Sequence, residues 1–108
     1  TPADLLTLAR LAVQEPLVRK YASLYRQLIT FESGQEYIWE NTNLLLNPES
    51  AYYCPEAIGL KTGFTTPAGN CLISAFFEED RVILIGVFGC PKQTEDRYLD
   101  TVALYKSI

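Results

Sequence analysis

Two glycines bracket a lysine in Gly59-Leu60-Lys61-Thr62-Gly63, and the run Ala57 to Thr65 around them reads as a β-strand. Successive side chains of a strand point to opposite faces. Ile58, Leu60, Thr62 and Phe64 therefore share one face, and Ala57, Gly59, Lys61, Gly63 and Thr65 share the other. That second face is bare apart from one ammonium and one hydroxyl. Glycine weakens a strand and often marks a place where another backbone or a ligand comes close. The chemistry this permits is recognition: an extended, peptide-like ligand beside the strand, its anionic end against Lys61. A lysine side chain is ordinarily a cation at neutral pH, suited to anchoring rather than to base catalysis. The plain alternative is a solvated lysine on a sheet edge, where lysine discourages aggregation.

The rest of the composition narrows the chemistry further. The chain has no histidine, which rules out Ser-His-Asp and Cys-His mechanisms within these residues and removes the commonest metal ligand. Cys54, Cys71 and Cys90 show no Cys-x-x-Cys spacing, so a zinc site is not expected. Cys71 and Cys90 sit in apolar strand contexts, where cysteine acts as a small hydrophobe. The net charge is −4 and the basic residues form no stripe, so nucleic acid is not an expected partner.

The elements that must position Lys61 follow from pattern. With 108 residues, 48% of them hydrophobic, the chain forms one domain at most. No apolar run approaches the roughly 20 residues that span a bilayer. Thr1 can cap a helix with Pro2 at its first position and Asp4 completing a capping box; Leu5, Leu8, Ala9 and Ala12 continue it to about Gln14. A second helix is predicted from Pro16 to Ser23, then a hairpin of Tyr25–Phe31 and Glu36–Glu40 around Ser33-Gly34-Gln35. Leu44-Leu45-Leu46 stands between Asn-rich loops as an apolar plug. Three strands follow, Ala57–Thr65, Cys71–Phe77 and Val82–Phe88, whose short connections require an antiparallel meander. Glu95 to Lys106 closes the chain as an amphipathic helix. The class is α+β, an antiparallel sheet meander with flanking helices.

Several short motifs stand in a fixed order: Asn41-Thr42-Asn43-x-Leu45-Leu46, then Gly59 to Thr65, then Ala68-Gly69-Asn70-Cys71-Leu72, an apolar strand ending in Gly89, and a helix containing Arg97. The series resembles the D-alanyl-D-alanine carboxypeptidases, the low-molecular-mass penicillin-binding proteins, over essentially the whole chain. Lys-Thr-Gly accompanies the Ser-x-x-Lys nucleophile motif in β-lactamases and penicillin-binding proteins. The resemblance implies part of a β-lactamase/transpeptidase-like fold, with residues 1–108 as a C-terminal portion of the catalytic domain. It implies that Lys61 helps hold the substrate's terminal carboxylate and that Thr62 hydrogen-bonds it, facing the site edge-on despite strand alternation. Gly63 would let the substrate approach, and Phe64 would give its backbone N–H to the oxyanion hole, where a donor is typically worth about 3 kcal/mol. Arg97 is the candidate for the family's carboxylate-binding arginine; a surface helix arginine is the alternative. Asn41, Thr42 and Asn43 match a family signature but are assigned to structure, because Asn and Thr in loops mostly bond to nearby backbone.

Two family motifs are missing. None of Ser23, Ser33, Ser50, Ser74 and Ser107 has a lysine three residues on, and no Ser-x-Asn stands in the family's order. The sequence therefore reads as a piece of a larger protein, inactive alone, with apolar faces that seek the missing half or a second copy. The resemblance implies a complete enzyme that removes the terminal D-alanine from peptidoglycan stem peptides ending in D-Ala-D-Ala and needs no cofactor or metal. It would be acylated by β-lactams, and would lie outside the cytoplasmic membrane in association with it. A non-catalytic peptide-binding module and a serine β-lactamase relative are the alternatives. Thr1-Pro2-Ala3-Asp4 reads as a helix start rather than a targeting segment, so location is not legible there.

Overall fold

The computed structural model describes residues 1–108. Its elements run α1 (Pro2–Ala12), α2 (Pro16–Ala22), β1 (Arg26–Thr30), β2 (Glu36–Glu40), a 3-10 turn at Leu44–Leu46, β3 (Ala57–Thr65), β4 (Gly69–Glu78), β5 (Arg81–Cys90) and α3 (Asp96–Lys106). The α+β class and the antiparallel meander are as expected. Strand ends differ by one or two residues because turn residues such as Gly69 and Arg81 join the ladder. The Thr1–Asp4 capping box is formed, with Thr1 Oγ1 accepting the Asp4 N–H at 3.2 Å.

The strands form two separate sheets. β1 and β2 make an isolated hairpin, and β3-β4-β5 make a three-stranded sheet in sequence order. β3 is therefore an edge strand, paired on one side only, and alternate backbone groups of such a strand face away from the ladder. β4 lies at the centre, and its alternation sets the layers. Leu72, Ser74 and Phe76 face α3, where Phe76 stacks on Tyr105 at 4.1 Å between ring centres. On this side Leu45, Leu46, Cys54, Ala57, Leu72, Phe76, Ile85 and Tyr98 form the buried core. The apolar plug read from the sequence thus fills the core beside the sheet. The opposite face receives α1 and α2: a Cβ on Gly86 would lie 3.3 Å from Leu6 Cδ2.

The simple two-face picture of β3 needs one correction. Two steps along β3, from Ala57 to Gly59, oppose one step along β4, from Phe76 to Ala75. Ile58 is thus an extra residue, a β-bulge that re-aims the strand next to it. Gly59 takes φ +149°, and a Cβ there would stand 3.3 Å from Ala22 Cβ of α2. Its missing side chain admits a helix rather than a ligand. Gly63 differs: nothing lies within 4 Å of where its Cβ would be. Only the outer half of the glycine-bracketed segment is open.

The hairpin is apolar and bare. Leu28, Phe31, Tyr37, Ile38 and Trp39 are all exposed, Trp39 at 61%. An Arg26–Glu40 ion pair at 2.9 Å joins its base, and exposed pairs of this kind contribute about 0–1 kcal/mol. Burial of apolar surface does not hold these side chains in place within this chain.

Candidate functional site

The exposed half of β3 carries Lys61 and Thr62 and is contacted by Arg97. Lys61 is exposed, and its ammonium donates to the carbonyl oxygen of its neighbour Thr62 without an ion-pair partner. It shares a strand face with Gly59 and Ile73, on the side of α2. Thr62 lies on the other face, opposite Leu72, and is half-buried. Its hydroxyl lies 2.9 Å from the hydroxyl of Thr42. Lysine and threonine thus diverge, as alternation demands, while both stay at the free edge of the sheet. Phe64 pairs with Asn70 across the ladder and leaves half its side chain exposed.

Arg97 comes to the same place from α3. Its Nη1 lies 3.4 Å from the carbonyl oxygens of both Gly63 and Cys71, which face each other across β3 and β4. Its guanidinium also sits 5.0 Å from the ring of Tyr98. Arg97 Nε is buried without a hydrogen-bond partner. Arg97 thus reaches backbone carbonyls of the strand that carries Lys61 and of its neighbour β4. A third cation, Lys92, stands 5.9 Å from the centre of the Phe64 ring. Three of the nine basic side chains in a chain of net charge −4 therefore meet residues 61 to 64, a local field that favours an anion.

The loop before the 3-10 turn holds this end of the sheet together. Asn41 Nδ2 donates to the carbonyl oxygens of Ala22 and Leu24, both at 3.1 Å. Its Oδ1 accepts from Asn43 N at 3.0 Å. Asn43 caps the turn by accepting from Leu45 N at 3.1 Å and is 1% exposed. The local bonding expected of these asparagines is present. Thr42 departs from that expectation, because its hydroxyl reaches β3 twenty residues away. Nothing in the sequence distinguishes it from an ordinary loop threonine, since the signal is tertiary.

In chemical terms the arrangement is one wall of a binding site. It offers Lys61 and the Thr62 hydroxyl on an edge strand, Arg97 bonded to that strand at Gly63, and Lys92 near the Phe64 ring. It contains no nucleophile with a base positioned against it. No group of three or more His, Cys, Asp or Glu side chains converges anywhere in the chain. A concavity of about 760 Å³ lies elsewhere, between Ala51–Glu56 and α3.

Comparison with known proteins gives a consistent picture. A family model described as D-alanyl-D-alanine carboxypeptidase matches residues 1–91. Among solved structures, the Streptomyces K15 DD-transpeptidase superposes with a TM-score of 0.80 at 24% identity, covering 98% of this chain and 40% of that one. Penicillin-binding protein D2 from Listeria monocytogenes, solved in a cefotaxime-bound form, gives 0.71 at 28% identity, covering 94% and 37%. An evolved putative penicillin-binding protein homologue from Mycobacterium tuberculosis gives 0.72 at 22%, covering 96% and 39%. The chain thus spans about 40% of the length of the K15 enzyme. No curated protein matches. The fold is that of part of a DD-transpeptidase, as the ordered motifs implied.

Proposed function

The chain belongs to the D-alanyl-D-alanine carboxypeptidase family, and on that premise we propose that it forms the carboxylate-binding wall of a serine enzyme that trims peptidoglycan stem peptides. The complete protein would carry the serine and its lysine base on residues outside this chain. A stem peptide ending in D-Ala-D-Ala lies along the free edge of β3 as an added strand. Lys61 and the Thr62 hydroxyl hold its terminal carboxylate, and Arg97 adds positive charge at Gly63. Gly63, open on its face, lets the peptide backbone approach. The serine oxygen attacks the carbonyl of the penultimate residue, and the Phe64 N–H stabilises the oxyanion that forms. Collapse expels D-alanine, its amine taking up the proton, and leaves an acyl-enzyme that water hydrolyses.

The observation that carries this reading is that Lys61 and Thr62 both stand on the exposed half of an edge strand, with Arg97 bonded to the same strand at Gly63. A charge-assisted hydrogen bond is stronger than a neutral one, so this edge favours a peptide's carboxyl end over its middle. Penicillin-binding protein D2 has been solved in a cefotaxime-bound form; binding of β-lactams to the complete protein here, with acylation of its serine, is the corresponding expectation. No helix is long and apolar enough to cross a membrane; an extracytoplasmic, membrane-associated location rests on the family. The exposed apolar hairpin supports an arrangement in which the rest of the domain, or a second copy, packs against this chain.

The test is fluorescent penicillin labelling of the full-length protein, followed by assay of D-alanine release from a D-Ala-D-Ala peptide. Stable labelling with release is the expected result. Rapid β-lactam hydrolysis would indicate a β-lactamase relative, and absence of labelling a non-catalytic binding module.

A further inference from the structure

We infer that Thr42 is a positioning residue for substrate binding, acting through the hydroxyl of Thr62; the inference rests on the carboxylate-binding reading of β3. The two hydroxyl oxygens lie 2.9 Å apart. A threonine hydroxyl has one proton to give and two lone pairs to receive with. If Thr62 spent its proton on Thr42, it could not donate to a carboxylate. With an anion bound at the strand edge, the favoured arrangement has Thr42 donating to Thr62 Oγ1 and Thr62 donating to the anion. Such a chain of hydroxyls polarises in one direction, each bond strengthening the next.

Thr42 is unusually well held for a loop residue. Its predecessor Asn41 is tied to Ala22 and Leu24 by its side chain and to Tyr25 by its backbone. Its successor Asn43 is buried and caps the next turn. Its own carbonyl accepts the phenol of Tyr98 at 3.2 Å. The backbone that presents the hydroxyl is therefore fixed from three directions, so ordering the Thr42–Thr62 contact costs little further freedom. The tripeptide carries two structural asparagines around one threonine that faces the site.

The test uses the full-length protein and two peptides that differ only at the end, one closing in a free D-Ala-D-Ala carboxylate and one in its amide. Thr42→Val removes the hydroxyl at nearly constant shape, and Thr42→Ser keeps it. A lost orienting hydrogen bond should raise KM for the carboxylate peptide roughly three- to tenfold. The kcat should stay within about twofold, because binding common to ground and transition states is what is removed. The amide peptide should lose nothing, and Thr42→Ser should behave as wild type. The carboxylate-to-amide ratio is taken within each variant, so a smaller folded fraction does not enter it. Equal KM in wild type and Thr42→Val, or equal losses on both peptides, overturns the inference while leaving the parent reading intact. A wild-type protein that releases no D-alanine overturns both.

Discussion

The phenol of Tyr98, in the first turn of α3, donates to the carbonyl oxygen of Thr42 at 3.2 Å across a sequence separation of 56 residues. Tyr98 is fully buried and stacks against Tyr52 at 5.6 Å. One side chain thus joins the closing helix, the core and the loop that faces β3.

Tyr98→Phe keeps the ring and deletes that bond. Losing this part-buried hydrogen bond costs about 1–2 kcal/mol. In a domain of this size, that lowers the thermal midpoint by roughly 5–15 °C. Differential scanning calorimetry of the two proteins checks it, and an unchanged midpoint would mean that the phenol contributes nothing.

The β4–β5 hairpin turns through Glu79 and Asp80, both with positive φ, at 50° and 63°. Glu78 and Arg81 pair directly across them, so this is a two-residue turn of the primed kind, which favours Asn-Gly. Replacing Glu79→Asn together with Asp80→Gly should stabilise the protein by about 1 kcal/mol by removing left-handed strain. The midpoint of urea unfolding would rise. A fall would show that the acidic side chains hold the turn by contacts of their own.

Burial, and then the hydrogen bond to Glu56, pushes the Cys54 thiol up from its ordinary value near 9 to about 11. The folded chain therefore holds this proton more tightly than the unfolded one. Stability from the protonated thiol is complete below pH 9 and is lost as pH rises through the window from 9 to 11, because the unfolded state ionises first. Tyr105, raised to about 12 chiefly by burial, extends the decline at still higher pH. Thermal midpoints across that window should fall less steeply for Cys54→Ala than for wild type. Parallel slopes would remove Cys54 from the explanation. At neutral pH the same shift makes the buried Cys54 slow to alkylate.

What the sequence revealed and what it hid divide along physical lines. The meander was legible because strand-length apolar runs are separated by turns too short for a crossover, as at Glu79-Asp80. The Thr1 cap, the Leu44–Leu46 plug and the closing helix were legible because each is encoded locally. The bulge at Ile58 was not: Ala-Ile-Gly-Leu alternates like any strand, and only pairing with β4 exposes the extra residue. Gly59 consequently reads as a ligand approach in sequence and as a seat for Ala22 in three dimensions. Arg97 and Thr42 were hard for one shared reason. Each acts on β3 from an element far along the chain, and neither helix phase nor loop composition records such a contact.

The most direct measurement is the second-order rate at which penicillin acylates the full-length protein, compared between wild type and Lys61→Gln. Glutamine keeps a polar end, one bond shorter, but removes the charge. Loss of a charge-assisted contact to the ligand's carboxylate should slow acylation by roughly tenfold or more, with an unchanged thermal midpoint because Lys61 is exposed and makes no ion pair. Equal rates in the two proteins would mean that the ammonium of β3 does not hold the ligand.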